Sequence, residues 1–313
     1  MRDRPLMLLT VIAIGCVIAY MTIGLRGDLG FVLGLRATRL FALIQVGVAI
    51  GVSTLVFQTV TGNRILTPSI MGIDALYLFG QILLVFMFGG LAYSAVDPHL
   101  KFTVEVAALM VMTIGLILPL LSLRWDMGLM LLVGVVVGVL FRSLHSLLAR
   151  LIDPNEFAIV QGNSFANFND LNADLLAMSS VLSFAALVLV WRARHVLDVL
   201  ALGRDASVGL GVDWSKHVVG FLVVVAVLVA VSTALVGPVA FLGLLVVALA
   251  EKMINSRRHA WLLPATALVA IIVLVGGQTV FQHALGNSAT LGVVIEFGGG
   301  LVFLVLLWKR SRV

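Results

Sequence analysis

Residues 217–236 read HVVGFLVVVAVLVAVSTALV, a stretch that contains no Asp, Glu, Lys or Arg. An α-helix needs about 20 consecutive apolar residues to cross the hydrocarbon core of a bilayer, so this stretch predicts one membrane span. Comparable stretches recur along the chain and predict an all-α, polytopic membrane protein with about ten transmembrane helices. The spans are expected near residues 5–25, 38–58, 68–90, 103–122, 127–148, 175–192, 217–236, 239–254, 261–283 and 290–308.

The composition agrees with this prediction. Of the 313 residues, 61% are hydrophobic and 11% are charged, whereas soluble domains are roughly 45–50% apolar and about 25% charged. Ten spans use about 200 residues, and the short loops that remain leave no room for a large soluble domain. We therefore expect a single transmembrane domain over residues 1–313. The composition argues against a soluble enzyme, a nucleic-acid-binding protein and a disordered chain.

The N-terminal apolar stretch resembles a signal peptide but is too long for one. It continues to Leu25, whereas the apolar core of a signal peptide has about 7–15 residues. We therefore expect an uncleaved first span. Cys16 is the only cysteine, which excludes an intrachain disulfide.

The basic residues predict the orientation, because Lys and Arg are enriched in cytoplasmic loops. With ten spans and the N-terminus inside, the outer segments hold only Arg26, Arg36, Arg39, Lys101, Arg142 and Arg150. The inner segments hold Arg2, Arg4, Arg64, Arg124, Arg192, Arg194, Arg204, Lys216, Lys252, Arg257, Arg258, Lys309, Arg310 and Arg312. This bias predicts both termini in the cytoplasm. The net charge of +5 is then a topology signal, and we expect no nucleic-acid partner.

The segment between spans five and six, residues 149–174, is too polar to cross the membrane again. It contains QGNS at 161–164 and NFND at 167–170. Irregular backbone at membrane depth is tolerated only beside protein or water. We therefore expect an external cap or a re-entrant piece over a cavity.

The sequence holds no recognisable catalytic motif. It has no Walker loop, no HExxH and no Gly-x-Ser-x-Gly, and its His residues do not have metal-ligand spacing. We therefore expect no enzymatic activity, cofactor or metal site in this chain.

The most informative loop covers residues 197–212, LDVLALGRDASVGLGV, between two strong spans. It predicts two short helices broken at Gly203 and at Gly209–Gly211, each with an apolar face. An apolar cytoplasmic loop indicates a docking surface for a partner. A plain interfacial helix pair has the same composition, and the residues alone leave both interpretations open.

This loop resembles the coupling helices of ABC importer permeases for iron chelates and vitamin B12. The resemblance rests on LALGRDASVGLG at 200–211. It is supported by RATR at 36–39, which is followed by Gln58, Asn63, Pro68 and Gly72, and by GPVAFLGL at 237–244. Together the three stretches cover the chain from about residue 34 to its C-terminus.

Further stretches are similar to one branch of that family, which supplies one of two unlike permease subunits for siderophores, often of the catecholate type. They are FLGLLV at 241–246, RH at 258–259, GQ at 277–278 and TLGVVIEFGG at 290–299. The chain departs from the family at Val247-Ala248, where Pro-His or Pro-Asn is usual. It also lacks the Ala-Asp-x-x-x-Arg of the ninth span, and it has Glu296 where the branch tends to have Asn.

The resemblance implies a type II ABC importer permease in a bacterial cytoplasmic membrane. Its expected partners are a second, homologous permease subunit, an ABC ATPase dimer that binds ATP and Mg²⁺, a periplasmic or tethered siderophore-binding protein, and membrane lipid. The expected substrate is a ferric siderophore. ATPase coupling is expected within residues 197–216, at Leu200, Leu202, Gly203, Arg204, Asp205, Ala206, Leu210 and Gly211.

Other roles follow from position and family together. Arg36 and Arg39 are expected to contact acidic residues of the binding protein, the alternative being that they reach lipid headgroups. Arg142 and His145 are candidates for an anion path, or for a helix end at the headgroups. Gln58 and Gln278 are also candidates for the path, although for these two, as for Gln45 and Asp74, bonding to a neighbouring helix is the favoured interpretation.

Three alternative functions remain at this point. A vitamin B12 or haem permease would show the same loop. A secondary transporter driven by an ion gradient usually shows inverted repeats and ionisable residues deep in several spans, and neither is evident in this sequence. A structural membrane scaffold is the third alternative.

Overall fold

The computed structural model describes residues 3–25, 28–122, 127–162, 164–169, 171–284 and 291–310. Arg2, Arg26, Arg124 and Arg312 of the orientation argument lie outside these ranges. The described residues form helices and no β-strand. The α-helices are α1 (Asp3–Thr22), α2 (Leu29–Thr61), α3 (Ile73–Phe88), α4 (Gly90–Ala95), α5 (Pro98–Ser122), α6 (Met127–Ala149), α7 (Pro154–Gly162), α8 (Ala173–Arg192), α9 (Arg194–Leu200), α10 (Arg204–Gly209), α11 (Trp214–Val236), α12 (Leu242–Met253), α13 (His259–Ile271), α14 (Gly277–Ala284) and α15 (Leu291–Arg310).

The helices confirm an all-α polytopic membrane protein. Each predicted span overlaps one helix or, for the ninth, the continuous run from α13 to α14. The helix in the eighth span, α12, has only 12 residues. Within the described residues, six helices are long and apolar enough to cross a bilayer, and two shorter apolar helices lie at Ile73–Phe88 and Gly292–Leu301. The six are Arg4–Thr22, Leu29–Thr61, Leu132–Ala149, Ala173–Arg192, Trp214–Val236 and His259–His283.

Helix α2 forms the centre of the bundle. It has 33 residues, which is about 50 Å at 1.5 Å per residue, and it packs against α8, α11, α12 and α13. The prediction started this span at residue 38, whereas the helix begins at Leu29. The reason is a capping bond, because the Asp28 side chain accepts from the backbone N–H of Gly30. Gly62, in the left-handed conformation with φ of 64°, ends the helix.

Small residues allow close packing around this centre. A Cβ on Gly243 of α12 would lie 2.0 Å from Thr54 Oγ1 of α2, and a Cβ on Gly299 of α15 would lie 2.4 Å from Phe241 Cβ. Both positions therefore exclude any larger side chain in this packing. One turn of π-helix, Ile272–Gly276, joins α13 to α14, and Gly276 lies against the Cys16 thiol of α1.

The bundle has two ends, named here by their short helices. The α9–α10 end also holds the last turn of α2 and the start of α13. The α7 end holds α4, α7 and residues 164–169 and 171–172. Helix α7 has nine residues and is too short to cross a bilayer. Beyond it, the Asn167 N–H donates to Val236 O at 2.8 Å, and Ala166 and Phe168 are buried. The described residues between α6 and α8 therefore stay at this end.

Candidate functional site

Helices α9 and α10 present an apolar surface at one end of the bundle. Leu197 and Leu200 are buried in the core, whereas Leu202 and Leu210 are each 63% exposed. Gly203, with φ of 94°, separates the two helices, as the sequence predicts. The apolar residues thus divide into an anchoring set and an outward-facing set. Here, "the α9–α10 surface" means the outward-facing set: Leu202, Val208 and Leu210.

The α9–α10 surface is held on a folded unit. Ser207 Oγ lies 2.6 Å from Gly203 O and 3.0 Å from Val199 O, which fastens α10 to α9. The Arg204 guanidinium stacks over the Trp214 ring at 5.2 Å. Asp213 caps α11 by accepting from Lys216 N. A partner would therefore meet a pre-organised surface.

A polar network that sequence reasoning missed anchors α9 to the spans. Asp198 Oδ1 accepts from both the backbone N–H and Nδ1 of His259, each at 2.7 Å. His259 Nε2 lies 2.8 Å from Thr59 Oγ1 in the last turn of α2. The His259 side chain is only 2% exposed. Asp198 and His259 are 61 residues apart, so no local spacing could have indicated the pair.

A second ion pair lies at the same end. Arg64 Nη1 is 3.3 Å from Glu251 Oε2, and the Arg64 side chain is 53% exposed. Exposed pairs of this kind contribute little to stability.

The two predicted docking arginines both bind main-chain carbonyls. Arg36 Nη1 donates to Tyr20 O and Ile23 O at 2.8 Å each, which caps the C-terminal end of α1. Arg39 Nη2 donates to Asn169 O at 3.0 Å. The structure thus places both at the α7 end and gives each an internal partner.

Arg142 lies in a groove on the α7-end half of α6. The groove has a volume of about 430 Å³ and is lined by Val139, Arg142, Ser143, Ser146, Leu147 and Arg150. Arg142 and Ser146 are four residues apart and therefore share one face of α6, and Arg150 directly follows the end of the helix. Here, "the α6 groove" means this lined surface. It combines two cations with two hydroxyl groups, a set that suits an anionic ligand.

Charged groups also lie behind the α6 groove. Ser69 hydrogen-bonds to the buried carboxyl of Asp74, and both Arg142 and Glu296 are close enough to interact with its charge. One oxygen of Asp74 has no hydrogen-bond partner. Arg142 therefore lies near a carboxyl group as well as along the open groove, and its Nε donates to Gly138 O at 3.3 Å.

The other predicted path residues do not line the α6 groove. His145 is half-buried, and its Nε2 lacks a partner. Gln58 and Gln278 are buried, each with one unpartnered amide atom, and they lie towards opposite ends of the bundle. Gln45 bonds to Ser179 and Ser180 of α8, each at 2.8 Å, which matches the helix-bonding interpretation.

A second cavity, of about 500 Å³, lies at the α7 end and includes Glu105, Lys101 and Asn167 in its lining. Gln81 Nε2 donates to Glu105 Oε1 at 2.8 Å, and the Tyr93 hydroxyl bonds to Gln81 and Glu105. Sequence reasoning noted only Lys101, as a basic residue on the outer side. Across the part of the chain that the structure describes, no group of three His, Cys, Asp or Glu residues is arranged to hold a metal ion.

Comparison with known proteins gives consistent matches. Residues 6–309 match the FecCD transport family. The petrobactin import system permease protein YclO of Bacillus subtilis (strain 168) is 41% identical over 316 residues, covering 100% of this chain and 99% of the relative. The petrobactin import system permease protein FatC of Bacillus anthracis is 30% identical over 276 residues, covering 88% and 78%. A solved metal-chelate type ABC transporter in an inward-facing conformation shares the fold, with a TM-score of 0.82 at 22% identity, covering 99% and 100%.

Proposed function

We propose, from the premise that this chain belongs to the FecCD transport family, that its substrate is a ferric siderophore of the petrobactin class. The chain is a permease subunit of an ABC importer for siderophores or related iron chelates. This membership argues against the gradient-driven transporter and the scaffold. The finer substrate assignment is carried by the 41% identity to a petrobactin permease along the whole chain.

The working importer in this proposal contains several subunits. A second, unlike permease pairs with this chain, an ABC ATPase dimer supplies ATP and Mg²⁺ binding, and a siderophore-binding protein delivers the chelate. ATP binding and hydrolysis bias the pore between two states, one open to each side. The chain itself hydrolyses nothing.

The α9–α10 surface is the proposed ATPase contact. Leu202 and Leu210 are exposed apolar side chains on a pre-organised unit, which is what a lasting protein contact requires. Leu200 is buried and supports the surface from within. Arg204, Asp205 and Ala206 form the first turn of α10, and Gly203 and Gly211 hold its ends with positive φ.

The proposed orientation places the α9–α10 end in the cytoplasm and the α7 end outside, with the chain in a bacterial cytoplasmic membrane and both termini inside. Arg36 and Arg39 are then at the outer side, where the binding protein docks. Because Arg36 also caps α1, its role includes fixing the α1–α2 connection that the binding protein meets.

The α6 groove is the proposed start of the substrate path. Arg142 and Arg150 attract an anionic chelate, and the second permease covers the exposed face of α6. Gln58, Gln278 and His145 remain proposed path residues. Each has an unpartnered polar atom that a moving helix could turn towards the substrate.

Transport by the purified, reconstituted complex tests the substrate class. The tagged chain is purified in detergent with the subunits that remain bound, and liposomes containing the complex are supplied with binding protein and ATP. We expect import of radioactive iron as ferric petrobactin, and no import of labelled cyanocobalamin or haem. Import of cobalamin or haem, or purification of the chain as a well-folded protein without an ATPase, would contradict the proposal.

A further inference from the structure

We propose that Asp198, His259 and Thr59, here "the His259 linkage", form the positioning element that transmits movement from the α9–α10 surface to α2 and α13. The proposal rests on the function proposed above, in which an ATPase docks on that surface. It assigns to three residues of this chain a role in the transport step itself.

The first contact joins α9 to the start of α13. His259 is the first residue of α13, and its backbone N–H has no partner within that helix. The side chain of the preceding residue, Arg258, makes no capping bond. Asp198 accepts this N–H at 2.7 Å and thereby caps α13 from another helix. A carboxylate is favourable at this position because the helix N-terminus carries partial positive charge.

The second contact fixes the imidazole ring. A carboxylate only accepts hydrogen bonds, so His259 Nδ1 donates to Asp198. The opposite ring nitrogen, Nε2, lies 2.8 Å from Thr59 Oγ1. Because the ring is 2% exposed, its two nitrogens have little access to water other than through these partners. The ring therefore bridges α9 and α2 at fixed spacing.

The linkage connects the α9–α10 surface to the helices that fill the membrane. Helix α2 is the buried centre of the bundle, and α13 packs against α1, α2 and α12. Helix α13 then continues through the π-helical turn at Ile272–Gly276, a type of irregularity that is frequent at functional sites. A shift of α9 that breaks the linkage leaves the buried His259 ring without its partners, which favours movement of α2 and α13 together with α9.

Two variants of His259 separate the contacts. In His259→Asn the amide nitrogen replaces Nδ1 and keeps the bond to Asp198. In His259→Gln the longer side chain approaches Thr59 and removes the ring bond to Asp198, which keeps only the backbone N–H at position 259. Thr59→Val removes the hydroxyl group with little change of side-chain shape and is a milder change than His259→Gln. Thr59→Ser keeps the hydroxyl group and is its matched control. Arg64→Gln breaks the exposed ion pair at the same end and serves as the control.

The measurement is the amount of ferric chelate imported per ATP hydrolysed by the full complex in liposomes, together with ATPase retention during purification. We expect His259→Gln to lower import per ATP about tenfold, as for loss of a hydrogen bond to a charged group, and Thr59→Val to lower it about threefold. Retention of the ATPase should stay unchanged. His259→Asn, which keeps the bond to Asp198 but loses the contact with Thr59, should lower it about threefold, as Thr59→Val does. Thr59→Ser and Arg64→Gln should remain within about twofold of wild type.

A purely structural role predicts a different result. If His259→Gln and Thr59→Val keep the wild-type import per ATP, or lose it only in proportion to lost ATPase, the linkage does not transmit movement. A different result would contradict the proposed ATPase contact on which this inference rests. If Leu210→Asp leaves ATPase retention unchanged, the α9–α10 surface is not the ATPase contact, whatever the His259 variants do.

Discussion

The α9–α10 surface and the α6 groove are both exposed, but they expose opposite chemistry. The first presents Leu202, Val208 and Leu210 on a unit whose polar groups are bonded internally, through Ser207 and Asp198. The second presents two guanidinium groups and two hydroxyl groups between apolar side chains. An apolar, rigid surface favours a partner that stays bound, whereas a polar, cationic groove favours a ligand that binds and leaves.

The difference indicates that, in the proposed importer, one region of the chain binds the ATPase and another binds the siderophore. The α9–α10 surface offers rigid apolar contact area, while the α6 groove offers two guanidinium groups beside hydroxyl groups. The following experiments are expected to affect one region and spare the other. They are ordered by the size of the expected effect.

Leu210→Asp should abolish stable binding of the ATPase. The substitution places a charge in the contact, which would be desolvated without a partner, so retention of the ATPase should fall at least about tenfold. The measurement is the amount of ATPase that co-purifies with the tagged chain. The control is the same substitution at Leu151, a leucine at the α7 end that is 61% exposed. Leu151→Asp should retain the ATPase. Equal retention of the ATPase by both variants would contradict the proposal that the α9–α10 surface is the ATPase contact.

Arg142→Gln should reduce the initial rate of ferric siderophore import about tenfold, because a cation that attracts the anionic chelate is lost. ATPase retention should not change. The import rate of Arg142→Lys should lie between those of wild type and Arg142→Gln, since Lys keeps the charge but loses the planar donor pair. Asp74→Asn combined with Arg142→Gln tests whether the buried Asp74 carboxyl, once the nearby guanidinium is gone, contributes to the loss. If Arg142→Gln imports at the wild-type rate, the α6 groove is not part of the substrate path.

Ser207→Ala should weaken ATPase retention about fivefold or less, because the hydrogen bond to Val199 O that fastens α10 to α9 disappears. The effect should be smaller than that of Leu210→Asp, since the apolar contact itself remains. Ser215→Ala, on an exposed serine of α11, is the matched control and should behave as wild type. A loss larger than that of Leu210→Asp would mean that rigidity matters more than contact chemistry.

Raising the salt concentration from about 0.05 M to about 0.5 M should slow import about twofold while leaving the ATPase bound. Salt screens exposed charges such as those in the α6 groove, but it has little effect on an apolar contact. The two readings are taken from the same preparation of complex. Dissociation of the ATPase by salt would indicate that the α9–α10 contact is electrostatic, contrary to its composition.

The sequence predicts best what depends on neighbouring residues. The two short helices of α9 and α10 and the break at Gly203 follow from local periodicity and from glycine itself. The start of α2 was missed because Arg36 made residues 29–37 look like a separator, although Asp28 carries the capping signal. The position of each span along the chain was therefore easier to predict than its ends.

Contacts between distant residues were not predictable from one sequence. Nothing near Asp198 indicates that it pairs with His259, and nothing near Arg36 indicates that it would cap α1. Gln58 and Gln278 were grouped as one path because hydropathy gives the depth of a residue only approximately. The structure separates them because it also fixes the rotation and register of each helix.

The lone cysteine has a practical consequence. Cys16 is the only thiol in the chain and is partly buried beside Gly276, at the π-helical turn. Replacing it with Ala or Ser, both of which fit a space that holds a thiol, yields a cysteine-free background in one step. Pairs of spin labels placed on α9 and on α13 would then report, by electron paramagnetic resonance, whether the two helices keep their separation through the nucleotide cycle.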